Sequence, residues 1–187
     1  MGSCRAPNRR WHASACRGSG PRADVTAPGG TMEIKIAHAV ALIPAARMES
    51  CWAAAAAMLY GGCSQLRSGP TPVDGHQAAG AGAHIAASSL PAFAYEWGLQ
   101  LLRPQRWTVQ GLAQLLAHRP VWAGAYRPNG HAMVLAGMLG DGSDAGTFLT
   151  VLDPWPPETG SIDRLPFSVW AGRYSAGSMY ILHRPFW

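Results

Sequence analysis

The chain has 187 residues, 48% of them hydrophobic, which suits one domain of ordinary size with a sizeable core. No run of about 18 apolar residues is free of charges and chain breakers, so a membrane-spanning helix is excluded. The formal charge is +5, but residues 1–31 hold five arginines against Asp24, a net of +4; the remaining +1 leaves no basic stripe for nucleic acid on the body of the chain.

Residues 1–31 mix Gly, Pro, Ser and Arg without apolar periodicity, which predicts a disordered basic arm. The arm lacks the 7–15-residue apolar region of a secretory signal, which points to the cytoplasm or to export by a route that needs no such signal. Its Arg-rich, acid-poor composition also fits a targeting segment. Met32 opens the first stretch that reads as structure and is a candidate start, giving a folded domain over residues 32–187. Cys4 and Cys16 fall in the arm. Cys51 and Cys63 form neither a CxxC pair nor a zinc-type spacing with histidine, so no disulfide framework, metal or cofactor is implied.

From Ile34 to Pro44 the chain is apolar and reads as extended, and Pro44 to Ser50 as a loop. Ser50 is a natural N-cap, and a helix is predicted from Cys51 to Tyr60, stopped by Gly61-Gly62. Residues 61–89 read as a long loop with a short helix. Pro91 to Trp97 predicts a short helix with Pro in its first turn, and Leu99 to Leu102 a short strand. Thr108 caps a helix over Val109 to His118, whose apolar face is Val109, Leu112, Leu115 and Leu116. Strands are predicted at Val121–Tyr126, His131–Leu139, Thr147–Leu152 and Ser178–His183. Turn signals join them at Arg127-Pro128-Asn129-Gly130 and at 140–144. Helices first and an antiparallel sheet afterwards make an α+β fold.

Three residues stand out chemically. Cys51 opens an alanine-rich helix, where unpaired N–H groups and the macrodipole favour a thiolate. His131 follows Gly130 at the mouth of an apolar strand, where an imidazole can reach across a cleft. Asp153 ends another apolar strand before Pro154, where a carboxylate can accept the imidazole N–H and set its tautomer. Cys, His, Asp in this order is what a thiol-protease triad needs. Each residue also has a plain structural reading: a buried thiol, a turn histidine, a turn aspartate. Trp52, Trp122 and Trp155 suit either a water-excluding cleft wall or the core, and Trp97, Trp107 and Trp170 favour the core.

Ile43-Pro44 leading to Ser50-Cys51-Trp52-Ala53-Ala54, then Gly130-His131-Ala132-Met133-Val134 and Leu152-Asp153-Pro154-Trp155, resemble the papain-like cysteine peptidases in their compact bacterial form. The group includes effector proteases of plant-pathogenic bacteria and, more distantly, peptidases that trim double-glycine leaders. The resemblance covers residues 40–183. It implies a helical half carrying Cys51 packed on an antiparallel half-barrel carrying His131 and Asp153, and a peptide or protein substrate. It also implies a glutamine six residues before the cysteine as an oxyanion donor. Ala45 stands there, and Gln65 and Gln77 are the nearest amides downstream. Glu49 places a carboxylate two residues before the thiol. The triad equally serves amidase, deamidase or transglutaminase chemistry, and Ala45 keeps open a degenerate domain that binds without turnover.

Overall fold

The computed structural model describes residues 22–25, 33–60, 85–125, 130–174 and 179–185. Eight strands, β1 (Arg22–Val25), β2 (Ile34–Ala37), β3 (Gln100–Leu102), β4 (Val121–Ala125), β5 (His131–Gly140), β6 (Thr147–Asp153), β7 (Ser161–Pro166) and β8 (Met179–His183), form one sheet. Every pairing is antiparallel. Among the described residues, four helices, α1 (Cys51–Leu59), α2 (Leu90–Glu96), α3 (Val109–Leu116) and α4 (Phe167–Tyr174), complete an α+β arrangement.

β5 organises the sheet. Along one edge its first half pairs with β4 and its second half with β2, while β6 runs along the other edge. The partner changes at Gly137, beside a register shift in β6 pairing. A Cβ there would stand 2.6 Å from the Ile36 carbonyl oxygen, so glycine lets β2 close in. β4 carries the edge onward to β8 and β3.

Both faces of the central strands are covered. On one face, α3 and α4 bring Leu112, Leu116, Phe167 and Trp170 against Ala123, Met133, Leu135 and Ile181. On the other, α1 and α2 bring Trp52, Ala55, Ala56, Leu90 and Phe93 against Trp122, Val134, Leu152 and Leu182. Two-sided burial explains why Val121–Ala125 is buried at every position, where a half-solvated strand would alternate. The alanines of α1 serve the same packing: Ala55 and Ala56 are fully buried, and small side chains let the helix lie close to the sheet.

The structure departs from the sequence reading in three places. Residues 22–25, expected to belong to a disordered arm, pair with β2 and occupy an edge that would otherwise leave backbone groups open. β7 and α4 were not expected. β7 is an exposed edge strand, and α4 buries only Phe167 and Trp170, so neither has a strong apolar period. The helix at α1 is preceded without a break by a 3-10 turn, Met48–Ser50, so Ser50 does not cap α1 through its side chain; its hydroxyl instead exchanges hydrogen bonds with the Arg47 backbone. Gly61-Gly62, the loop over 61–84 and the turn at 127–129 lie outside the described residues. Thr108 caps α3 as expected, its hydroxyl accepting from the Gly111 N–H at 3.1 Å.

Candidate active site

Cys51, His131 and Asp153 meet where α1 faces the start of β5 and the end of β6. Strand register brings the last two together. Val134 lies opposite Leu152, so Asp153 is level with Met133, and His131 is its diagonal neighbour on the same face. The His131 Nε2 lies 2.8 Å from each Asp153 carboxylate oxygen, with both side chains about four-fifths covered (23% and 21% exposed). Asp153 is itself held, because its Oδ1 accepts the Trp155 backbone N–H at 2.8 Å.

The ring's other side serves Cys51, a free thiol only 3% exposed that hydrogen-bonds His131. Burial pulls the His131 pKa down, but hydrogen bonds and charge from Asp153 and Cys51 outweigh it and push the value up to about 9. At neutral pH the ring is therefore held as imidazolium.

The pocket over these residues is narrow and apolar, lined by Cys51, Trp52, Ile85, Trp122, Gly124, Ala125, Gly130, His131 and Ala132. Trp52 and Trp122 thus lie at the site and in the core at once, whereas Trp155 is 40% exposed beside Asp153. The Trp122 indole N–H donates to the Trp52 carbonyl at 3.0 Å, a buried bond between β4 and the first turn of α1. Trp122 is one of the three tryptophans that suit a cleft wall or the core, and no sequence signal sets it apart from the other two. Its own motif is featureless, and only Gly124 two residues on, on the same face, hints that something bulky lies there.

Ala45 is 1% exposed and tied by its main chain to the loop after Asp153: its N–H donates to the Pro154 carbonyl and its carbonyl accepts from the Glu158 N–H, both at 2.9 Å. Its side chain supplies no donor to the site. Gln65 and Gln77 lie outside the described residues. Among the described residues, no three His, Cys, Asp or Glu side chains gather as a metal site, and no helix is long and apolar enough to cross a membrane.

Residues 32–166 match the family model of the papain-like cysteine protease AvrRpt2. The chain belongs to this family. Family membership makes it a papain-like cysteine protease by descent. Among solved structures it is similar to a double glycine motif protease from an AMS/PCAT transporter, crystallised in complex with the leader peptide, at 17% identity and a TM-score of 0.49. That match covers 80% of this chain and 94% of the other. A search of curated proteins finds no match.

Proposed function

We propose that residues 32–187 form a cysteine peptidase domain that cleaves peptide bonds through Cys51, His131 and Asp153. The observation that carries the reading is the hydrogen-bonded chain from Asp153 through His131 to Cys51. The Cys51 sulfur, its proton on His131, attacks the scissile carbonyl carbon. The tetrahedral adduct collapses to a thioester as His131 hands the proton to the departing amine. Water, deprotonated by His131, then attacks the thioester, releasing the acid product and restoring the thiol. Asp153 fixes the ring orientation and offsets the imidazolium charge. The positive end of the helical run at Met48–Leu59 faces the developing oxyanion.

The test is a peptide library incubated with the wild-type chain and with Cys51→Ser, the cleavages read by mass spectrometry. Cleavages that vanish in Cys51→Ser support the assignment, with an expected loss of at least about 10⁴-fold. Identical cleavages in both overturn it. Ala45 favours one second reading, a domain that captures peptide without turnover, because loss of an oxyanion donor costs about 10²–10³ in rate. Peptide retention by Cys51→Ala, with no cleavage by the wild type, selects that reading. Ammonia release or cross-linking without cleavage selects amidase, deamidase or transglutaminase chemistry.

A further inference from the structure

Cys51 and His131 belong to different layers, one on α1 and the other on β5, so something must fix the distance between them. We propose that Trp122 is a positioning residue, holding Cys51 within reach of His131 through the hydrogen bond from its indole N–H to the Trp52 carbonyl. The inference rests on the reading of Cys51 and His131 as a working pair.

Trp122 is fastened to both sides. Its strand pairs directly with β5, with Ala125 opposite His131 and Trp122 opposite Val134. Its indole N–H reaches, at 3.0 Å, the carbonyl of the residue that follows Cys51. That carbonyl lies in α1 and is already an acceptor for the N–H four residues on. The indole bond is therefore not needed to satisfy it, and what the bond adds is placement.

The ring is built into position. Trp122 is 1% exposed. Residues two apart on a strand share a face, and a Cβ at Gly124 would overlap the Trp122 six-membered ring. The indole therefore lies along its own strand toward the His131 end, over Gly124 and beside small Ala132, which pairs with Gly124. Phe93 packs against both Trp122 and Trp52, with ring centroids 6.1 Å and 5.3 Å away. The backbone bonds from Ala45 to the loop after Asp153 lie six residues from the nucleophile. The Trp122 bond is one residue away.

The experiment is an NMR titration of the His131 ring in the wild type, Trp122→Phe, Gly124→Ala, Cys51→Ala and the Cys51→Ala/Trp122→Phe double variant. In the wild type the midpoint is expected at about 9, and Cys51→Ala lowers it by removing the sulfur's hydrogen bond and charge. Trp122→Phe keeps a ring and deletes the N–H. It is expected to lower the midpoint by about one pH unit, and Gly124→Ala by at least as much, because an opposite charge is moved away. In the double variant Trp122→Phe is expected to add nothing to Cys51→Ala, since both act through the same contact. A purely structural tryptophan would lower the melting temperature without this pattern. A wild-type midpoint in folded Trp122→Phe overturns the proposal alone. A Cys51→Ala midpoint equal to wild type overturns the pairing as well. Should Trp122→Phe not fold, exchange of the Trp122 indole proton in the wild type decides. Strong protection supports the bond, and exchange as fast as free indole removes it.

Discussion

The helix that carries Cys51 and the hairpin that carries His131 and Asp153 reach the site by different physics. α1 is a run of small residues, and seven of its nine positions are buried, so it has no solvent face to orient it. What sets its place is how closely alanine side chains allow it to approach the sheet, together with polar ties at its start. The hairpin is placed by register. Val134 opposite Leu152 brings His131 and Asp153 onto one face as diagonal neighbours, and a one-residue slip of β6 along β5 would put them on opposite faces. One arm is thus located by packing volume and the other by backbone pairing. The site fails for different reasons on its two sides.

The largest effect should come from the register-set side. Asp153→Asn keeps the shape but gives His131 a neutral amide in place of a carboxylate that offsets its charge, and the largest loss of kcat in this set is expected, measured on a peptide the wild type cleaves. The same side should show in stability against pH. Folded His131, its pKa raised to about 9, holds its proton more tightly than the unfolded ring at 6.5, so the stabilisation it contributes is complete below 6.5 and is lost as pH rises to 9. The slope reflects the part of the shift that Asp153 supplies, because a proton passed from Cys51 to His131 is not gained on folding. Urea unfolding across this range checks the slope, which Asp153→Asn should flatten. On the packing side, Ala55→Leu overfills a fully buried contact and should cost about 1–3 kcal/mol. It should also slow Cys51 alkylation while leaving the β5–β6 amide shifts unchanged. Were those shifts to move as far as α1's, the two arms would not be separately placed. Thr108→Ala, remote from both arms, should cost about 1 kcal/mol in thermal unfolding and leave activity unchanged.

Much of this was legible in the chain. Thr108 before an apolar helical stripe, the alanine run after Cys51, and the continuous apolar strands at 121–125 and 131–139 each announce their element. Local preference and burial agree there. Asp141 in the turn after β5 is equally readable, its Oδ1 accepting from both the Ser143 N–H and hydroxyl. The misses occur where local preference and final state diverge. Ser161–Pro166 is polar because it lies at an edge, and Phe167–Tyr174 contributes only two buried side chains. Residues 22–25 have no apolar pattern of their own and become a strand through the open edge of β2. The 3-10 turn at Met48–Ser50 leaves no mark in the sequence, because Ser50 has a strong N-cap preference and the residues before it have no apolar period.

The sequence by itself determined the apolar strands, α1 to α3, the three candidate residues and their order, because capping, apolar period and turn chemistry are properties of neighbouring residues. Tertiary structure alone decided that residues 51, 131 and 153 come together, that Asp153 engages Nε2 of His131, and that Trp122 reaches the first turn of the helix that Cys51 opens. Those facts depend on strand register, on which helix covers which face, and on space left by glycine and alanine across the sheet. A local pattern says which side of an element is apolar, but not what will lie against it.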